Sequence, residues 1–441
     1  KPNFKSSEFL FDNFDATERL IDSLPYTLTN DQMKTYKGIV EEVNKNKKPL
    51  NGLIQGDVGS GKTIIAFLMM TLAYDNGFQG VLIAPTEVLA KQHYEDMLKT
   101  LKPLGINVAY LYGGIRAKQR REILKGLKDG SIDVAIGTSA LIQDTVDYYN
   151  LGMVVVDEQH RFGVAQREKL LDRKNVPHSI VMSATPIPRT LSMALFGDTL
   201  SVYNVKEKPA GRKDIITEVV ESDEELNERM YQEISKGHQC YVICPLINKS
   251  KSDKMKGVRS LEQEVVATKK YFKKHHPEVV VAELNGKMKT EEMDQIIKDF
   301  ADNKIHILMS TTVIEVGINV PNATIIAIKS SERFGLAQAH QLRGRVGRSN
   351  IQSYCLLQTD PEEEKAQILV NTSDGFEVAK ADLELRGAGD YLGTQQKGSN
   401  NLVMLMLKYP DLYEKIDKLN QEIIKDSKKV DMYKYLLDIE I

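Results

Sequence analysis

Short runs of β-branched and other apolar residues, each closing on small or polar ones, recur along the first half of the chain: NGLIQGD, GVLIAPT, DVAIGTS, MVVVDE and SIVMSAT. Between them lie stretches with apolar positions at helical spacing, such as EVLAKQHYEDMLKTL. The alternation predicts βαβ units, that is, parallel strands with helices on both faces of the sheet. The stretch VKEKPAGRKD breaks the pattern with Pro, Gly and mixed charge and reads as a linker, after which the alternation resumes with CYVICPL, VVVAEL, IHILMST, ATIIAIKSS and SYCLLQT. Two doubly wound α/β domains in tandem are expected, with ligands at the loops that leave the carboxyl ends of the strands. Past about residue 361 the strand pattern stops, and an acidic helical tail carries one glycine-rich island, RGAGDYLGTQQKG. The divisions drawn are an N-terminal segment 1–24, a first domain 25–205, a linker 206–214, a second domain 215–360 and a C-terminal region 361–441.

A chain of 441 residues exceeds one ordinary core and has room for two domains and an appendage. Cys240, Cys244 and Cys355 lie in apolar stretches with no second Cys or His pair at ligand spacing, which fits buried thiols in a reducing compartment. The longest apolar stretch, Ile64 to Tyr74, is far short of the roughly 20 residues that cross a bilayer. No basic-then-apolar leader precedes it, so a cytoplasmic protein with no membrane partner is expected; a monomer is expected as well. A net charge of −2 does not exclude nucleic acid, because affinity for phosphates depends on local basic surface. Two basic stretches stand out, NKSKSDKMKGVR at 248–259 and KKYFKKHH at 269–276, each either a solvated face or a phosphate-binding one.

The chemistry centres on IQGDVGSGKTIIAFLMM, residues 54–70, where Gly56, Gly61, Lys62 and Thr63 satisfy G-x-x-x-x-G-K-[ST] between a predicted strand and an apolar helix. In that setting the backbone N–H groups of Gly56, Asp57, Val58, Gly59, Ser60 and Gly61 curl toward phosphate oxygens, and the helix N-terminus adds its positive end. Lys62 neutralises β/γ charge, and the Thr63 hydroxyl reaches Mg²⁺. MVVVDEQH supplies the acids: Asp157 as the metal's other partner, and Glu158 to orient or deprotonate the attacking water. QLRGRVGR places Arg343, Arg345 and Arg348 among glycines, and they read as arginine fingers delivered across a cleft, so that ATP hydrolysis requires the two halves to close.

Gln32 in LTNDQ, GDVGSGKT, APTEVLAKQHY, GTSALIQ, DEQHRFG, SATPIPRTL, STTVIEVGINVPNAT and QLRGRVGR follow the order of the superfamily 2 helicase motifs. More narrowly, DEQHRFGVAQR, ERFGLAQAHQLRGRVGR and DLELRGAGDYLGTQQKG resemble the bacterial RecG family, from about Leu24 to at least Gly398. The resemblance implies two tandem RecA-like P-loop domains plus a helical translocation-motif region, use of ATP and Mg²⁺, and a DNA-dependent ATPase that acts on branched or duplex DNA at stalled forks and Holliday junctions. It implies that Gln32 reads the adenine edge, that Gly317 joins the nucleotide site, and that Gln341, Arg345 and Arg348 serve hydrolysis. By the same resemblance Pro85, Thr86, Thr138, Ser139 and Thr311 lie on the DNA path, Ser183 and Thr185 couple hydrolysis to movement, and the island from Arg386 to Gln396 drives translocation. The sequence departs from the family at Asn319, Asn285, Ala388 and Gln395, where Asp, His, Pro and Arg are usual. RecG proteins also carry an N-terminal wedge domain, so a motor without its wedge is expected here. Two rival readings are a transcription-repair coupling factor-like duplex translocase and a nucleotide-gated DNA-binding module with little turnover.

Overall fold

In the computed structural model, which describes residues 8–143, 146–157, 175–188, 192, 200–246, 259–311 and 320–386, the apolar runs form two all-parallel sheets. The first half contributes α1 (Asp15–Ser23), α2 (Asn30–Asn46), β1 (Asn51–Gln55), α3 (Lys62–Asp75), β2 (Gln79–Ile83), α4 (Glu87–Leu101), β3 (Val108–Leu111), α5 (Ala117–Asp129), β4 (Val134–Gly137), β5 (Leu151–Asp157), β6 (His178–Ser183) and β7 (Ser201–Asn204). Its strand order is β3-β4-β2-β5-β6-β1-β7. Adjacent residues such as Leu53 and Ile54, Val81 and Leu82, or Val154 and Val155 fall alternately into two apolar layers, as a parallel sheet covered on both faces requires. Helix α3 is buried around its whole circumference from Ile64 to Ala73, which makes the long apolar run a core helix. No helix among the described residues is long and apolar enough to cross a membrane.

The second half contributes β8 (Ile216–Val220), α6 (Asp223–Ile234), β9 (Gln239–Cys244), α7 (Leu261–His275), β10 (Val281–Leu284), α8 (Thr290–Ala301), β11 (Ile307–Thr311), β12 (Ala323–Lys329), α9 (Leu336–Arg343), β13 (Tyr354–Gln358), α10 (Glu364–Asn371) and α11 (Gly375–Arg386). The order is β10-β11-β9-β12-β13-β8. Helices α10 and α11 place Leu369 and Val378 in this domain's core, so its packing continues past residue 360. All three cysteines are buried, and burial pushes the Cys244 and Cys355 thiols up to about 12.

Among the described residues, the chain from Phe9 onward packs against the first domain. Phe9, Phe11 and Leu20 sit in its core, with Phe9 tilted on Phe78 at 4.9 Å. His178, at the head of β6, fixes this arrangement. The Leu50 N–H donates to its Nδ1 at 2.9 Å, so the ring proton is on Nε2, which donates to the Phe9 carbonyl at 2.6 Å. Burial pulls the His178 pKa down to about 4, against the ordinary 6.5. The unfolded chain therefore takes up this proton first, and stability that is full above pH 6.5 falls by roughly 3 kcal/mol as pH drops from 6.5 to 4. Denaturant titrations at pH 7.5 and 4.5 are expected to show this loss and to show it shrink in His178→Gln; an equal loss in the variant would assign it to other groups.

Candidate active site

The phosphate-loop residues leave the carboxyl end of β1 and enter α3 at Lys62. Gly59 and Gly61 have φ of +79° and +85°, the left-handed region where only glycine is at ease, so the curl is encoded by those two positions. The Gly56 N–H donates to the Ser183 carbonyl at 3.1 Å, which ties the loop to β6. Lys62 Nζ donates to the carbonyls of Gly56 at 2.7 Å and Asp57 at 2.9 Å, holding the ammonium against the loop. Gln32 completes a capping box with Thr29 at the start of α2, and its Nε2 donates to the Gly61 carbonyl at 3.1 Å. The Ser60 hydroxyl is buried and finds no hydrogen-bond partner among the described residues. An unsatisfied hydroxyl inside a loop of inward-turning amides is what an anionic oxygen would satisfy.

A cavity of about 830 Å³ opens beside this loop. Gln32, Lys62, Thr63 and Asp157 line it from the first domain, Pro209 and Arg212 from the linker, and Arg345 and Arg348 from the second domain. Lys62, Arg212, Arg345 and Arg348 give it a strongly cationic wall. Asp157, at the end of β5, accepts from His93 Nε2 at 2.6 Å. Size, charge and an oxygen-bearing pair in Thr63 and Asp157 fit a nucleoside triphosphate with a divalent metal.

The P-loop also makes a contact that joins the domains. Asp57 Oδ1 accepts from His340 Nε2 at 2.7 Å, and Oδ2 accepts from the Gly375 N–H, the first residue of α11, at 2.9 Å. A Cβ on Gly375 would lie 1.8 Å from Asp57 Oδ1, so only glycine allows this approach. Burial pushes the Asp57 carboxyl up, but the His340 and Gly375 bonds together with Lys62 bring it below the ordinary carboxylate range. Arg343 Nη2 donates to His340 Nδ1 at 2.7 Å; because a guanidinium only donates, the His340 proton is on Nε2, facing Asp57. Arg343 is itself fully buried, donating to Thr217 Oγ1 and the Leu369 carbonyl. That corrects its reading as a finger: its guanidinium is consumed by the second domain's own structure.

The remaining expected residues are spread more widely. Pro85 and Thr86 are exposed on the rim of the same cavity, and Thr86 Oγ1 caps α4 by accepting from the Leu89 N–H. Thr138 and Ser139 follow β4, and Thr311 ends β11. Ser183 Oγ accepts from the Thr185 N–H at 3.1 Å, closing a tight turn after β6. Gln341 is half-buried on α9 and does not line the cavity. Arg386 ends α11 and pairs with Asp382 at 3.1 Å. Glu158, Gly317, Asn319, Ala388, Gln395, Gln396 and positions 248–258 lie outside the described residues. Three participants carried no role in the sequence reading: His93 and His340, although both stand inside quoted motifs, and Arg212, in the stretch read as linker.

Similarity to known proteins follows the same layout. The family described as DEAD/DEAH box helicase matches residues 29–194, the helicase conserved C-terminal domain matches 223–350, and the family described as ATP-dependent DNA helicase RecG, domain 3, C-terminal matches 372–425. The chain is 43% identical over 396 residues to the ATP-dependent DNA helicase RecG of Synechocystis sp., covering 88% of this chain and 47% of the relative. It is 45% identical over 382 residues to that of Streptococcus pneumoniae, covering 85% and 55%. The chain thus spans about half the length of the curated relatives it matches. Among solved structures it is similar to RecG bound to a three-way DNA junction, with a TM-score of 0.70, 38% identity, and coverage of 87% of this chain and 50% of that one. The DUF1998 helicase MrfA bound to DNA, at 16% identity and a TM-score of 0.59, shares the fold.

Removing the Asp57 carboxylate is expected to expose the head of α11. Hydrogen exchange at the Gly375 amide should accelerate by about 10-fold or more in Asp57→Ala, the scale of one hydrogen bond to a charged acceptor, and by less in Asp57→Asn. Equal exchange in wild type and Asp57→Ala would show that the contact contributes nothing.

Proposed function

The chain belongs to the RecG family of superfamily 2 helicases, and on that footing we propose that it is an ATP-driven DNA motor acting on branched DNA, such as stalled forks and Holliday junctions, in recombination and repair. The observation that carries the reading is the cavity built jointly by the P-loop, the linker and Arg345 and Arg348 of the second domain. A site divided between two domains makes nucleotide occupancy and domain arrangement mutually dependent, which is what a translocating motor requires.

In this mechanism Gln32 reads the adenine, and the P-loop amides with Lys62 hold the triphosphate. Thr63 and Asp157 would hold a Mg²⁺, whose chemistry there is neutralisation of charge on the β- and γ-phosphates. His93 keeps the Asp157 carboxylate oriented. Glu158 accepts a proton from the attacking water as the bond between the γ-phosphorus and the bridging oxygen breaks, and Arg345 and Arg348 stabilise the charge that develops on the transferred group. Pro85, Thr86, Thr138, Ser139 and Thr311 grip DNA through its backbone, which gives low sequence preference and high salt sensitivity. A binding module that closes on ATP without turnover has little use for two arginines directed at the transition state.

Steady-state hydrolysis with no DNA, single strands, linear duplex and a junction of equal length tests this proposal. DNA-stimulated turnover is expected in the wild type, with a loss of about 100-fold or more in Lys62→Ala and Glu158→Gln. Normal turnover in Lys62→Ala would refute the assignment.

A further inference from the structure

The hinge between the domains reaches into the cavity with a charge that no motif supplied. The turn from Pro209 to Arg212 is closed by the Arg212 N–H donating to the Pro209 carbonyl at 3.4 Å, with Gly211 at φ +84°. Lys208 and Asp214 pair across its base at 2.7 Å. From this turn Arg212 extends over the P-loop, and its Nη1 donates to the Gly59 carbonyl at 2.6 Å. A Cβ on Gly59 would lie 2.3 Å from that nitrogen, so the glycine needed for the curl is also what lets the guanidinium approach.

A guanidinium has five N–H donors, and here one neutral carbonyl accepts. Among the described residues no carboxylate pairs with Arg212, although the side chain is half-buried and lines the cavity. Burial works against its charge and lowers its pKa, a cost that an anion in the cavity would offset. The surroundings point the same way. Lys62, Arg345 and Arg348 face the same space; of the two carboxylates that line it, Asp157 is engaged by His93, and Asp96 on α4 makes no ion pair with Arg212 among the described residues.

We propose that Arg212 is a nucleotide-binding residue contributed by the hinge, its guanidinium taking an oxygen of the triphosphate while it holds the Gly59 carbonyl. The inference rests on the motor reading above and deepens it. The segment that must bend when the domains move touches the group whose hydrolysis moves them, so the hinge senses the nucleotide directly and does not merely connect two bodies that do.

Titration of the full chain with fluorescent ATP and ADP analogues tests the assignment, with thermal unfolding of each variant alongside. Arg212→Ala is expected to weaken ATP binding by about 10-fold or more, the scale of one charge-assisted hydrogen bond, with an unchanged melting temperature. Arg212→Lys, which keeps a charge but loses the fork, should recover part of the loss. Affinity in Arg212→Ala within twofold of wild type would overturn the proposal. So would a loss that Arg212→Lys does not relieve and that tracks a lowered melting temperature, because Arg212 would then be a clip for the loop. If the wild type itself binds no nucleotide, the motor reading falls; if the wild type binds and Arg212→Ala binds equally, only the role of Arg212 falls.

Discussion

One carboxylate ties the P-loop to the second domain. Asp57 sits in the P-loop yet turns away from the cavity, accepting from His340 and from the amide at the head of α11. A partly buried carboxylate is costly unless its oxygens are satisfied, and both are satisfied from the other domain. Behind His340 stands Arg343, which fixes the ring's tautomer and is anchored to the Thr217 hydroxyl and the Leu369 carbonyl. A continuous line of hydrogen bonds thus runs from the P-loop into the core of the second domain. The loop cannot change shape without either moving that domain or breaking the line.

The rest of the site follows from this constraint. With the P-loop held from the second domain through Asp57 and from the hinge through the Gly59 carbonyl, Arg345 and Arg348 come to the same cavity as Lys62. Helix α11 begins at the Asp57 carboxylate and ends at Arg386, where the proposed translocation island starts. A helix with one end on the P-loop and the other at the island offers a short mechanical path from proposed hydrolysis to proposed movement of DNA.

Much of this was legible in the sequence. Buried parallel strands are continuous apolar runs, and ten of the strands announced themselves as such, among them the edge strand β10, whose VVVAEL keeps an apolar run although only its ends are buried. The three that did not, β3, β7 and β8, are all edge strands, where exposure on one side dilutes the apolar pattern; SVYN in β7 has no fully buried position. The P-loop was legible because its glycines are dictated by backbone geometry. Residues whose role depends on a partner far along the chain were not. Asp57 and Gly375 are 318 positions apart, and nothing local to either reveals the contact. Arg343, Arg345 and Arg348 look equivalent in QLRGRVGR, but α9 directs the first inward, and only three-dimensional packing separates it from the other two. The N-terminal phenylalanines fell in a stretch too short for periodicity, and Arg212 was hidden by a composition that correctly marks a linker but says nothing about where its side chains reach.

On the proposed function, nucleotide occupancy and the arrangement of the two domains are one equilibrium, joined through Asp57. The most direct measurement is the interdomain distance by pulsed dipolar spectroscopy, with spin labels at the exposed positions Lys118 and Glu262 and the three native cysteines protected by burial. The distribution is expected to narrow to a single distance when a non-hydrolysable ATP analogue is added, and to stay broad under the same conditions in Asp57→Ala. A distribution indifferent both to the analogue and to loss of the carboxylate would contradict it.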